Sequence, residues 1–182
     1  VVADLKTKVE AVNTQWGDYK NTFKAATGTD VGSSTGILIN TLNLHFEKYF
    51  RDNKIGIPLG VRSSGIARPE FCEALHGEYS VELAMANLQA MKELFSGDEI
   101  YGLDDYLQAS DASTLNSTIL SQFDAIEMRL NALSDPLPAQ INSDPAAVQS
   151  AYNEMQRMIV YLKVDMPSRL GVLITYQDND GD

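Results

Sequence analysis

DPAAVQSAYNEMQRMIVYLKVDMPSRLG, residues 144 to 171, decides the class of fold. Asp144 followed by Pro145 is a helix start, with a capping carboxylate placed ahead of a proline in the first turn. Val148, Tyr152, Met155, Ile159, Leu162, Met166 and Leu170 then recur in steps of three and four, the apolar stripe of an amphipathic helix. Pro167 falls within the stripe and predicts a kink or an end near Asp165, because proline has no N–H for the ladder. After Gly171 the run Val172 to Tyr176 alternates as a short strand would, with Ile55 to Val61 its expected neighbour.

The same periodicity recurs upstream. Leu5, Val9, Val12, Trp16, Tyr19 and Phe23 predict a first helix over about Ala3 to Ala26, closed by Gly28. Leu38, Leu42, Phe46 and Tyr49 predict a second, more deeply buried helix over Val31 to Asp52, capped by Asp30. Ser80 is placed to cap a third helix, Val81 to Phe95, ended by Gly97. A short helical turn near Leu103 to Gln108 follows. Leu115, Ile119, Phe123, Ile126, Leu130 and Leu133 mark a fourth long helix, stopped by Pro136 and Pro138.

These stripes predict an all-α fold: one domain over residues 1–182, an antiparallel helical bundle of four to five helices with a long irregular connection and a short extended C-terminal segment. The irregular connection runs from Asn53 to Tyr79, where Gly56, Pro58, Gly60, Gly65, Pro69 and Gly77 interrupt any long helix. Loops of this length are uncommon in compact domains and often carry function, so a site is expected there.

Composition narrows the function. The 182 residues are 44% hydrophobic and 21% charged, as in ordinary globular proteins, and the longest apolar runs are too short for a membrane span or a signal peptide. The chain opens on Val1 rather than Met, as a processed or shortened chain would. A net charge of -11 argues against nucleic acid, which is held by clustered Lys and Arg. Cys72 is the single cysteine, so neither an intrachain disulfide nor a cysteine-rich metal cage can form.

The charge is unevenly placed. Between Glu47 and Arg68 the cations Lys48, Arg51, Lys54, Arg62 and Arg68 face only Glu47 and Asp52. From Pro69 to Ala112 ten acids face Lys92 alone. Two solvated surfaces that pair with each other are one reading; an anion-binding or partner-docking loop beside a cation-attracting face is the other.

Motifs for catalysis are missing. The two histidines, His45 and His76, lack the His-Glu-x-x-His spacing of a catalytic zinc helix, and there is no nucleophile elbow, phosphate loop or dinucleotide fingerprint. Glu73-x-x-His76 has di-iron ligand spacing but no second copy, which leaves Glu73 and His76 as the metal-ligand candidates. His45 reads as a packed or surface-bonded helix residue, and Cys72 as a small buried hydrophobe. The terminal Asp178-Asn179-Asp180-Gly181-Asp182 has the opening pattern of a calcium loop but ends before the bidentate glutamate, and so reads as an acidic terminus.

HFEKYFRD at 45 to 52, KIGIPLGV at 54 to 61, SVELAMANLQ at 80 to 89, QFDA at 122 to 125, LSDPL at 133 to 137, LKVDM at 162 to 166 and GVLITYQDNDGD at 171 to 182 together resemble the C-terminal half of imelysin-like proteins. The resemblance implies two tandem helical bundles, export to the periplasm or cell surface, often on a lipid anchor outside this chain, and in some members a link to iron uptake. The family signature Gly-x-His-x-x-Glu belongs to the N-terminal half. Around His45 stand Asn43 and Lys48, and around His76 stand Ala74 and Tyr79, so neither matches.

The chain therefore resembles the second bundle alone, and no catalytic residue is carried over to it. The implied function is a cell-envelope binding domain whose ligand, a divalent metal or iron in the complete protein, is held at the junction with an N-terminal bundle, with Arg51, Lys54, Arg62 and Arg68 as the ligand-binding set. The alternative is the C-terminal half of an imelysin-type metallopeptidase whose site lies upstream.

Overall fold

A computed structural model describes residues 1–98 and 100–176. All its regular elements are helical, and no strand occurs among the described residues. In chain order they are α1 (Val2–Ala25), α2 (Ser34–Leu44), a first π segment (His45–Gly56), α3 (Ile57–Leu59), a 3-10 turn (Pro69–Phe71), α4 (Ser80–Ser96), α5 (Leu103–Ala109), α6 (Ser113–Asn131), α7 (Leu137–Ser143), α8 (Pro145–Val160), a second π segment (Tyr161–Asp165) and α9 (Met166–Leu170). The acidic terminus lies outside the described residues.

Four rods form the bundle: α2 with the first π segment, α4, α6, and α8 with the second π segment, each packed on its neighbours in a ring. The pairings run antiparallel. The start of α4 meets Asp135 beyond the end of α6, while Phe95 near its other end stacks on Phe123. Glu47 meets Lys163 while Arg51 meets Gln156. Phe46, Phe50, Phe95, Ile126, Leu130 and Met155 fill the dry centre, contributed by all four rods.

The second helix does not stop at Asp52. It passes through Gly56 and Pro58 to Leu59, because the ladder widens: Ile57 donates to the Asp52 carbonyl five residues back. Pro58 sits where that register returns to the ordinary one. Gly56 is required for packing rather than for a break, since a Cβ there would stand 2.8 Å from the Tyr152 ring. The chain finally turns at Gly60, whose φ of 94° favours glycine. The last rod repeats the device. Met166 donates to the Tyr161 carbonyl, Pro167 follows, and the helix continues to Gly171 instead of ending near Asp165.

Three further expectations are corrected. The cap of α2 is Ser33, whose hydroxyl oxygen receives the Gly36 N–H at 2.9 Å, while Asp30 receives the Gly32 N–H in the turn before it. The 172–176 run pairs with no strand, because its expected neighbour, Ile55 to Val61, is helical as far as Leu59; Asn40 instead bonds the Leu173 carbonyl and the Thr175 N–H. Ser80 does not cap the third long helix. Its hydroxyl donates to the Glu73 carbonyl, and the carboxylate of Asp135 receives the Val81 N–H at 3.0 Å and the Glu82 N–H at 3.3 Å.

α1 forms as its stripe predicts, but buries none of its residues. Its helicity owes nothing to the core that the other rods share.

Candidate functional site

The first π segment positions the site. π-helical backbone is rare and concentrates at functional sites. Here it turns one set of side chains into the core and another into a groove. Inward, Arg51 is 1% exposed and Glu47 4%. Charges buried this deeply must be paired. Arg51 donates Nη1 to Gln156 Oε1 at 2.6 Å and Nε to Asp52 Oδ1 at 3.2 Å, and its guanidinium lies over the Tyr152 ring. Asp52 also receives Arg62 Nη2 at 2.6 Å. Glu47 receives the Lys163 ammonium at 3.1 Å and the Tyr176 hydroxyl at 2.7 Å.

Outward, the same segment faces α4 and the loop after α3 across a groove of about 770 Å³. His45, Tyr49, Asn53 and Lys54 line its wall, with Ile57, Phe71, Glu73 and Asn87 opposite and at the ends. His45 Nε2 lies 3.0 Å from Asn87 Oδ1, tying the π segment to α4. Lys54 is nearly buried and is ion-paired with Glu73. Beyond His45 and Asn87 the groove continues between α2 and α4 as an apolar cleft of about 380 Å³.

The four cations named from the sequence separate in space. Lys54 lines the groove. Arg51 and Arg62 converge on Asp52 behind it. Arg68 pairs with Glu70 at 2.7 Å and lies over the Phe71 ring at the groove edge. That pairing holds the Glu70 carboxyl below its ordinary pKa, through the Arg68 hydrogen bond first.

His76 is exposed on a turn, and no three His, Cys, Asp or Glu side chains converge on a metal-sized position among the described residues. Cys72 is buried, and desolvation, then the nearby Asp135 and Glu70 charges, push its thiol up to about 11. At neutral pH it is a protonated thiol without nucleophilic force.

The groove uses His45, read from the sequence as a packed or surface-bonded helix residue, and Tyr49, read as part of the buried stripe but 46% exposed. His45, Tyr49 and Asn53 recur every four residues, which reads as one helix face. Nothing in the sequence shows that the face is open, or that Asn87 closes on it from 42 residues away. The connection expected to carry a site supplies Asn53, Lys54, Ile57, Phe71 and Glu73 to the lining of this groove.

Fold and site together define a four-helix-bundle domain with a polar groove beside a π-helical segment. The chain belongs to the imelysin family: the family model described as Imelysin matches residues 1–164. No curated protein and no solved structure matches it.

Proposed function

We propose that this imelysin-family domain is a binding module of the cell envelope, at the periplasm or cell surface, serving metal or iron uptake beside an N-terminal bundle and without a catalytic centre of its own. The observation that carries the reading is the groove along the first π segment. Its walls offer an imidazole, a phenol, two amides, an ammonium and a carboxylate, with Ile57 and Phe71 for apolar contact. This is the mixture that small-molecule sites use, apolar surface with a few placed polar groups.

Three metal donors do not converge there among the described residues. In this reading a metal is carried as a chelate or shared with donors from outside this chain; of the two metal-ligand candidates Glu73 lines the groove, and His76 stands three residues on, outside its lining. Lys54 takes the direct contact to an acidic chelate, and Arg68 lies at the edge over Phe71. Arg51 and Arg62 act indirectly, holding the π segment through Asp52. No described helix is long and apolar enough to cross a membrane; the lipid anchor outside this chain belongs to the proposal as the family resemblance implies it.

Calorimetric titration with ferric citrate tests the reading. Binding is expected to weaken roughly tenfold in His45→Ala and in Asn87→Ala, the loss of about one charge-assisted or well-placed hydrogen bond. Equal affinity in wild type and both variants would overturn the groove assignment. Metal-dependent peptide cleavage by the isolated chain would overturn the non-catalytic one.

A further inference from the structure

α1 is a 24-residue helix with an apolar stripe that its own chain leaves uncovered. The exposed stripe carries Leu5, Val9, Val12, Trp16 and Tyr19. Its C-terminal half is a preformed aromatic cluster, with the Trp16 and Phe23 rings 5.3 Å apart and Tyr19 6.2 Å from each. Aromatic clusters of this kind are what anchor interfaces. On a helix of 3.6 residues per turn, Lys8 and Lys20 stand beside the stripe, Lys6 and Lys24 somewhat further round, and Glu10 and Asp18 on the far side. Towards the N-terminus those cations are balanced on α1 itself, Lys8 by Asp4 at 4.0 Å and Lys6 by Glu10 at 3.8 Å, so the cations left to border the aromatic half of the stripe are Lys20 and Lys24.

The complementary surface is on the bundle. The cleft between α2 and α4 is lined by Leu38, Leu42, Ala90, Met91 and Leu94, with Leu94 half exposed. Immediately past Leu94, at the C-terminal end of α4, Asp98, Asp104 and Asp105 border a second hollow that has no basic side chain in its lining. Asp104 has its carboxyl held above the ordinary range, by desolvation first and then by Asp105, as an acid without a cation would. Asp105 accepts the Gly102 N–H at 3.0 Å and Asp104 the Asp105 N–H at 2.8 Å, so the contacts recorded for these two acids are to backbone at the start of α5.

We infer that α1 of a second copy of this chain seats in the α2–α4 cleft, Trp16, Tyr19 and Phe23 entering between Leu38, Met91 and Leu94 while Lys20 and Lys24 reach Asp98 and Asp104. The occupant is a second copy because α1 is held away from its own cleft. Ser34 donates its N–H to the Ala26 carbonyl at 2.8 Å and its hydroxyl to the Phe23 carbonyl, fixing α1 in a direction in which it buries nothing. Exchange of the two helices about a two-fold axis makes the contact twice and closes the assembly as a dimer. The cleft lies on the far side of His45 and Asn87 from the polar groove and shares those two residues with it.

Sedimentation equilibrium of the intact chain tests the inference. A dimer is expected, with Trp16 emission shifting to the blue as it forms. Trp16→Asp and Leu94→Asp should each raise the dissociation constant roughly tenfold or more. Trp16→Asp should leave the melting curve of the dilute chain unchanged, since α1 contributes nothing to the core.

Charge exchange supplies the specific readout. Lys20→Glu/Lys24→Glu and Asp104→Lys chains should each dimerise weakly alone and pair with one another when mixed, because each then finds its complement. A chain that stays monomeric to about 100 μM, where a contact of this kind should be populated, overturns the inference. So does a dimer that survives Trp16→Asp and Leu94→Asp, or an α1 that binds anionic phosphatidylglycerol vesicles while the chain remains monomeric.

Discussion

The Lys163 ammonium stands 3.1 Å from the Glu47 carboxylate, an ion pair that joins the two π segments of the bundle. The residues are 116 apart in sequence. Both rods widen their ladders where the pair forms and both return to α geometry at a proline, Pro58 in one and Pro167 in the other. The groove is carried on the outer side of this paired region, so its shape depends on charges that a ligand never touches.

Removing one partner of that pair should be costly. Lys163→Met leaves the Glu47 carboxylate, 5% exposed at its side chain, with the Tyr176 hydroxyl and a more distant Arg51. The expected loss is about 3 kcal/mol in urea unfolding, the scale for a broken buried pair. Glu47→Gln with Lys163→Met should cost less than the sum of the single changes, and strict additivity in the double-mutant cycle would sink the claim of direct coupling.

Asp135→Ala should fray the start of α4. Its carboxylate receives the Val81 and Glu82 amides from across the bundle, so truncation is expected to cost about 1 kcal/mol, as for an ordinary N-cap. Hydrogen exchange should accelerate at those two amides and leave the middle of α4 unchanged. Ser80→Ala should not reproduce that local exchange pattern, because its hydroxyl serves the Glu73 carbonyl instead.

At Gly56 propensity and packing oppose each other. Alanine in a helix gains roughly 0.5–1 kcal/mol over glycine, but the new methyl group would press on the Tyr152 ring. Overpacking of this kind costs about 1–3 kcal/mol, so Gly56→Ala should destabilise on balance. Much of the loss should return in a Tyr152→Leu background, and an equal loss in both backgrounds would locate the strain elsewhere.

Cys72 should resist alkylation. The thiol ionises near 9 in the unfolded chain and is held protonated to about 11 when folded, by burial first and the Asp135 charge second. Its contribution to stability is therefore complete below pH 9 and disappears as pH rises from 9 to 11. Iodoacetamide labelling of the native chain should follow the higher value, and a rate that plateaus near pH 9 would show an exposed thiol.

Much of the bundle was legible because its signal is local. The stripes of α6 and α8 reappear as buried residues in the register their spacing implies, from Ile119 to Leu130 and from Val148 to Ile159. The misread positions share one cause. Gly56 and Pro58 carry the standard chemistry of helix ends, yet each is overridden by a wider ladder that tertiary packing stabilises, and at Pro167, where a kink or an end is expected, the ladder likewise widens and the helix does not end. The cap of α4 was misassigned for the same reason, since Asp135 is 54 residues from the amide it serves. α1 shows the converse: periodicity predicted the helix correctly, and nothing in that period says whether the face is covered.

The sequence by itself determined that rods would form and, apart from Tyr49, most of the flank of each bundle rod that would be dry, because helical periodicity is a property of neighbours three and four apart. Only the tertiary structure decided that His45, Tyr49 and Asn53 face an open groove, that Asn87 and Glu73 close on them, and that Arg51 turns inward to Asp52 and Gln156. Those relationships join residues tens of positions apart, where the balance of desolvation and pairing is struck between surfaces that exist only once the rods have met.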